Sequence, residues 1–571
     1  MKYLSTGLLR SLLLISLLYP VMSFAQTELV PVDNRIYPYL EMMSLKGLIN
    51  YNSADIPISR RRVASYLNQL EKTKAKLSST EQKILADFRV EFSYDISKST
   101  KESFSLISHL PGGLLNIFND DEQKYLVYYA DPDFSLFLDG VGALSYRSYD
   151  FQRSPNANVS LLEIGPRLRG TLYDNVSFYI HVTEGQTFGG NAYARSVAQG
   201  YDPLLISSTK FVDNKYITAF NSGYLRWESD SGAVAVTLGR DNFELGDGYI
   251  DKLWVSNNMP PMDFARLDLN YKFFRYTFFY ANLQGDSLGV PLNSKNLVGG
   301  YLSINLSPSF RFGLYQSLTL SNTPFMFSFF NPISVLESAS LNTNISVNAK
   351  AMIGFDSEYR PCKDIGIQAS FLMNDLNFST LGNKSSPIGN DNKFGYQLGM
   401  IYAEPFGIRN LTAKLEYTLL DPFVYTSRTN MNNYTNWGTS IGTQLPPNSD
   451  QIALEMDYWL TNRITLNLLC EHQRSGEGFL DANGKPTLND MGPIIRNFGG
   501  DINRGDLDFA YVNNFLQGLR VNRDIVAISA HYEPIRQYYI DLYYSLQSID
   551  NIYESQTDLR HIFYVTISTD F

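Results

Sequence analysis

The sequence predicts an all-β transmembrane barrel of about eighteen antiparallel strands, preceded by a small N-terminal α-helical domain. Three observations predict it. Paired segments of about ten residues, alternating apolar and polar, recur from Phe134 to the last residue. Tight turns and long loops rich in Asn and Gly join them alternately, which is the pattern of a membrane barrel. Beyond the N-terminus, no segment holds the roughly 18 consecutive apolar residues that a membrane helix needs.

Composition agrees. At 571 residues the chain exceeds the usual size of a single core, so it must form several domains or one large barrel. Charged residues are 18% and aromatics 14%, with the apolar content spread over many short segments. One apolar run exists, Ser11 to Tyr19, after Lys2 and Arg10 and before Ser23-Phe24-Ala25. That is a secretory signal pattern, so residues 1–25 are expected to be removed. Cys362 and Cys470 lie far apart without metal-ligand spacing and read as incidental. A net charge of -10 argues against nucleic acid as a partner, because a phosphate-binding surface must be basic.

Residues 26–95 read as a helical bundle on the periplasmic side. Ile36, Leu40, Met43 and Leu48 recur at helical spacing, and Gly47 is placed to end that helix in the left-handed conformation. Ser59 is a candidate N-cap for a second helix carrying Val63, Tyr66, Leu67 and Leu70. Ser79 or Thr80 is a candidate cap for a third, with Ile84, Leu85 and Phe88 on one side. Three short helices bury little alone, so they should pack against something larger, and the barrel mouth is available. Arg60-Arg61-Arg62 reads first as a solvated helix start, with a docking surface for acidic glycan or lipid headgroups as the other reading. Residues 96–133, with Pro111-Gly112-Gly113 and an acidic Asn119-Asp120-Asp121-Glu122, read as a linker.

Residues 134–571 read as the barrel. Strands are expected near 134–148, 160–173, 174–185, 221–229, 233–241, 262–271, 272–283, 297–306 and 308–319. The other nine are expected near 350–359, 364–374, 394–403, 409–419, 450–459, 463–473, 524–532, 536–547 and 561–571. Leu411, Ala413, Leu415, Tyr417 and Leu419 oppose Thr412, Lys414, Glu416 and Thr418. A charge facing lipid costs about 2–4 kcal/mol at the midplane, so the polar faces should line the lumen. The short turns should face the periplasm, and the long insertions, chiefly 186–220, 320–349, 420–449 and 474–523, the outside. The final HIFYVTISTDF, apolar on one face and ending in Phe571, resembles the insertion signal of outer-membrane barrels.

Catalytic and metal signatures are not found. His472, His531 and His561 sit in strands without a nucleophile pattern, and no HExxH, GxSxG or P-loop appears. Asp241, Glu244, Asp247 and Asp251 crowd a Gly-rich loop, but their spacing is not that of an EF-hand, so a salt-bridged loop competes with a calcium site. No cofactor is implied.

TLGRDNFELGDGYIDKLWVSNNMPPMDFARLDL resembles the central signature of the Wzi capsule assembly proteins. YPYLEMMSLKGLIN and DIPISRRRVASYL are similar to that family's opening helices, and FNPISVLES and AMIGFDSEYR extend the likeness. The resemblance implies an outer-membrane, lectin-like barrel that holds or organises capsular or surface polysaccharide, sits in outer-membrane lipid, works beside polysaccharide export machinery and is not an enzyme. A substrate-specific porin is the competing class, and an outer-membrane lipase or acyltransferase a third. Tyr249, Trp254, Asn257, Asn258, Tyr434 and Trp437, in insertions expected to face outward, are the candidate glycan-binding residues, since exposed aromatics need a partner. The other reading is that these aromatics pack loops together or mark the upper membrane girdle.

Overall fold

The computed structural model describes residues 26–109, 114–208, 211–284, 295–323, 325–343, 349–375, 392–427, 430–481, 483–488, 494–504 and 514–571. The signal-sequence reading and Pro111-Gly112-Gly113 lie outside them. Among the described residues, eighteen antiparallel strands close into one barrel. The first nine are β1 (Phe134–Phe151), β2 (Ala157–Leu172), β3 (Val176–Phe188), β4 (Tyr216–Glu228), β5 (Val234–Asp241), β6 (Met262–Tyr271), β7 (Phe274–Leu283), β8 (Lys295–Ser307) and β9 (Phe310–Ser321). They are followed by β10 (Ala349–Cys362), β11 (Ile365–Asp375), β12 (Lys393–Ala403), β13 (Leu411–Leu420), β14 (Ser449–Trp459), β15 (Ile464–Glu477), β16 (Leu519–Ile535), β17 (Tyr538–Asn551) and β18 (Gln556–Asp570). The last strand closes on the first, with Tyr564 opposite Arg147. Every expected strand is present, most of them a few residues longer.

Alternation sorts the two faces as expected. Thr412, Lys414, Glu416 and Thr418 point inward and are buried, whereas Leu415 and Tyr417 are exposed on the outside. Around the wall, Ile164, Leu225, Leu238, Leu398, Ile528 and Ile567 each leave half or more of their surface uncovered. So continuous an apolar belt is stable only against lipid.

At the N-terminus, α1 (Ile36–Leu45), α2 (Arg60–Lys72) and α3 (Ser79–Glu91) share a core of Ile36, Leu40, Met43, Val63, Leu67, Leu70, Ile84 and Leu85. Gly47, at φ 72°, ends α1 with the Leu48 N–H donating to the Met43 carbonyl, a closure that a side-chain-bearing residue would strain. The cap of α3 is Ser78, one residue ahead of expectation, in a reciprocal box with Glu81. The bundle lies against the short-turn end of the barrel. Lys46 bridges Glu81 and Glu404, Asp87 pairs with Arg463 and Arg536, and Tyr39 and Phe88 pack on Trp459.

Two of the three consecutive arginines depart from the solvated reading. Arg60 is buried on Asp95 at 2.8 Å with its guanidinium over the Phe92 ring, and Arg61 donates to the turn carbonyls of Asp174 and Ser229. The start of α2 abuts the barrel turns, so carbonyl acceptors replace water there. The stretch read as a linker carries short elements as well: Ser103–Ser105 pairs with Gln123–Tyr125, and Val127–Ala130 adds to the edge of β1.

Candidate functional site

The lumen is filled between β5 and β14, and the filling decides what the barrel can do. Residues 242–261, between β5 and β6, do not project outward as expected; they fold into the lumen. Phe243, Leu245, Leu253, Trp254, Val255 and Met259 supply an apolar side that packs on Phe279, Tyr301 and Tyr315 of the wall. Gly248 permits the reversal, because a Cβ there would collide with the Asp251 carbonyl. From the far side, Asp55–Ile56 pairs with Glu244–Leu245, so the bundle and the inner loop meet inside the barrel.

Wall carboxylates hold this loop by its backbone. Glu416 accepts the N–H groups of Tyr249 at 2.8 Å, Asp251 at 3.1 Å and Ile250 at 3.3 Å. Asp356 accepts the Asp247 N–H at 2.9 Å. The side chain of Asp247 meets Arg311, yet burial outweighs that contact and raises its pKa above the usual carboxylate range. Asp251 is a junction: its carboxylate accepts from Ser256 and Asn258 in the same loop, and from the Thr443 hydroxyl and Gln444 N–H in the β13–β14 loop. The four loop acids read as a possible calcium cluster therefore diverge. Asp241 faces Ser222, Glu244 faces Lys252, Asp247 faces Arg311 and Asp251 faces the neighbouring loop.

The six candidate residues divide into two groups. Trp254 is 1% exposed, stacked on Tyr315 at 4.9 Å and 13°. Tyr434 is equally buried and donates from its hydroxyl to the Trp254 carbonyl at 2.9 Å. Tyr249 is buried against the core of the helical bundle. These three rings are not surface platforms; the apolar side of the inner loop, unread in the sequence, takes in Trp254 and Tyr434, and the bundle covers Tyr249. Asn257, Asn258 and Trp437 are half-buried at the rim. Asn242 donates to Asn257 at 2.7 Å, Asn258 accepts from Gln444 at 2.9 Å, and Trp437 takes a left-handed backbone beside Gly438.

Beside Asn258 opens a cavity of about 320 Å³ between the two loops and strands β13 to β16. Asp251, Gln444, Gln451, Glu471 and Gln473 line it with planar polar groups, and Leu445 and Leu469 add apolar surface. Paired donors and acceptors beside apolar patches suit a hydroxyl-rich ligand with C–H faces. Sequence reasoning singled out none of Gln444, Gln451, Glu471 and Gln473, although three of them lie on inward-facing strand positions where alternation pointed.

The chain matches the family model "Capsule assembly protein Wzi" over residues 169–514. Among solved structures it is similar to Wzi of Escherichia coli, described as an outer-membrane protein involved in group 1 capsule assembly and a carbohydrate-binding β-barrel. That match has 12% identity and a TM-score of 0.53, covering 94% of this chain and 98% of that one. OprD of Pseudomonas aeruginosa matches at 9% identity and TM-score 0.40, over 76% of this chain and 95% of that one. No curated protein matches. With the family model spanning more than half the chain, and a closed barrel of that kind built from its own residues, this protein belongs to the Wzi family of outer-membrane capsule assembly proteins.

Proposed function

We propose that this protein binds capsular or surface polysaccharide and attaches or organises it at the outer face of the outer membrane, without catalysing a reaction on it. The observation that carries the reading is the polar cavity beside Asn258, formed where two loops close the lumen. In a conduit, a cavity of that kind would open through the barrel; here the inner loop and the bundle meet beneath the outer loops. The long loops face outward and the helical bundle lies in the periplasm, where it can meet polysaccharide export machinery. Asn257, Asn258 and Trp437 form the rim, with Trp437 as the one partly exposed aromatic of the six candidates. Gln444 joins them at the mouth, and Gln451 and Gln473 contact hydroxyls along the wall.

The test is polysaccharide retention on cells. A deletion strain complemented with the wild-type chain should hold its surface polysaccharide, and one carrying Trp437→Ala with Gln444→Ala should bind it about tenfold more weakly, a lost aromatic contact of roughly 1 kcal/mol and a lost hydrogen bond of about 0.5 kcal/mol together making one factor of ten. Heat-modifiable gel migration verifies the fold. Unchanged retention in a folded double variant moves the site elsewhere, most directly to the loop between β15 and β16. Large steady conductance of the intact protein would favour the porin class instead.

A further inference from the structure

At the opposite end of the barrel, a second cavity of about 500 Å³ lies between α2 and the turns that join β4 to β5 and β6 to β7. Its charges do not cancel. Three carboxylates, Asp55, Glu228 and Asp268, are taken up by three arginines. Arg266 pairs with Asp55 at 2.5 Å and with Asp268 at 2.8 Å. Arg226 pairs with Glu228 at 2.9 Å and with Asp268 at 3.2 Å, and Arg61 approaches Glu228 at 3.9 Å. Asp230, the fourth acid, accepts from Asn175 on the turn at 2.7 Å.

Arg62, Arg275 and Lys272 remain as additional cations on the same wall. No ion pair or side-chain hydrogen bond of Arg62 is found among the described residues, and Arg275 has only a long ion pair, 4.0 Å to an Asp55 already held by Arg266. Buried Nη1 atoms of both Arg275 and Arg266 are without a hydrogen-bond partner, and Arg266 is only 5% exposed. A buried guanidinium donor left unmatched is costly, and a carboxylate or phosphate is the group its fork fits best.

One more orphan narrows the ligand. Asn270 donates to the Gly232 carbonyl at 3.3 Å, while its own buried Oδ1 accepts nothing. A bare oxyanion satisfies the guanidinium groups and leaves that acceptor unmet. An acidic sugar satisfies both, since its hydroxyls donate, and the Tyr66 and Phe273 rings give its C–H faces apolar surface in the same cavity.

We propose that this cavity is a binding site for an acidic saccharide, its carboxylate or phosphate held by Arg62 and Arg275 and a ring hydroxyl donated to Asn270. The site is independent of the outer cavity and stands even if that one binds nothing. On this proposal the second reading of the arginine run applies to Arg62 alone, the member of the three that neither the bundle nor the barrel turns engage.

Calorimetry on the full chain in detergent tests it, with glucuronate, inorganic phosphate and glucose as separate titrants. Glucuronate should bind, more weakly as salt is added, and glucose should not. Arg62→Gln and Arg275→Gln should each weaken glucuronate about tenfold, the scale of one charge-assisted hydrogen bond. Asn270→Ala should weaken glucuronate and leave phosphate unchanged. Arg62 is partly exposed on α2, so its variant reports on binding even if the Arg275 variant misfolds. Failure of glucuronate to bind, equal binding of glucose, phosphate binding as tight as glucuronate with Asn270→Ala silent, or survival of glucuronate binding in a folded Arg62→Gln protein would each overturn the proposal.

Discussion

Replacing Glu416 by Ala tests whether the inner loop closes the lumen. The Glu416 carboxylate accepts from the backbone of Tyr249, Ile250 and Asp251, and also from the side-chain amides of Gln368 at 3.2 Å and Gln397 at 3.1 Å. Hydrogen bonds to a charged group contribute about 1.5–3 kcal/mol each, and burying the charge offsets much of that total. Truncation also strands buried donors, so a net loss of about 3 kcal/mol in the docking of the loop is the working figure. At about 1.4 kcal/mol per factor of ten, the undocked population rises on the order of a hundredfold. Planar-bilayer recordings should then show brief openings in Glu416→Ala and near silence in the wild type. Equal silence in a folded variant would show that the loop stays docked without Glu416, and steady conductance of the wild type would refute closure altogether.

Three more predictions address other layers. Removing residues 26–93 should raise conductance further than Glu416→Ala, because the helical bundle occupies the short-turn mouth; an unchanged record would leave the bundle outside the conduction path. Trypsin added to intact cells should cut after the exposed Lys485 in the β15–β16 loop and spare the equally exposed Lys272 in a short turn until the membrane is opened, as mapped by mass spectrometry; the reverse order would invert the topology. Burial pushes the pKa of Glu28 up to about 7, so the folded chain holds this proton more tightly than the unfolded one. Its contribution to stability therefore falls as pH rises from about 4.5 through 7, by roughly 3 kcal/mol. Glu28→Gln should gain thermal stability over wild type at pH 8 and little or none at pH 4.5, and equal gains at both would refute the assignment.

The barrel was readable because its information is local. A strand such as β13 shows its two faces in ten consecutive residues, and a turn such as Ser231-Gly232 announces itself in two. The bundle was readable for the same reason, through the spacing of Ile36, Leu40 and Met43 and the glycine after them. Residues 242–261 were not. Their apolar side chains follow neither a period of 2 nor of 3.6, so Trp254 and Tyr249 look like exposed aromatics until the wall that covers them is in place. The residues that cover them lie far away in sequence: Tyr315 stacks on Trp254, and Glu416 grips the backbone beside Tyr249.

The same distance explains why the arginine run divides as it does. In sequence, Arg60, Arg61 and Arg62 are equivalent charges at the start of one helix. Helical rotation sends Arg60 to Asp95 within the bundle, Arg61 to the carbonyls of the β2–β3 and β4–β5 turns, and Arg62 toward a cavity whose acids are already matched. The barrel wall thus does chemical work at both ends. Toward the long loops, its carboxylates Asp356 and Glu416 consume backbone donors and fix the loop that frames the outer cavity. Toward the short turns, Arg61, Arg226 and Arg266 neutralise Asp55, Glu228 and Asp268, which leaves Arg62 unpaired among the described residues and Arg275 only loosely held, at 4.0 Å from Asp55. A carboxylate- and amide-lined, hydroxyl-reading cavity at one mouth and a cationic one at the other would let a single plugged barrel engage two different features of one polymer, its hydroxyls at the first and its acidic groups at the second. That pairing requires the two sites to respond to separate mutations, with Gln444→Ala leaving glucuronate binding at Arg62 intact.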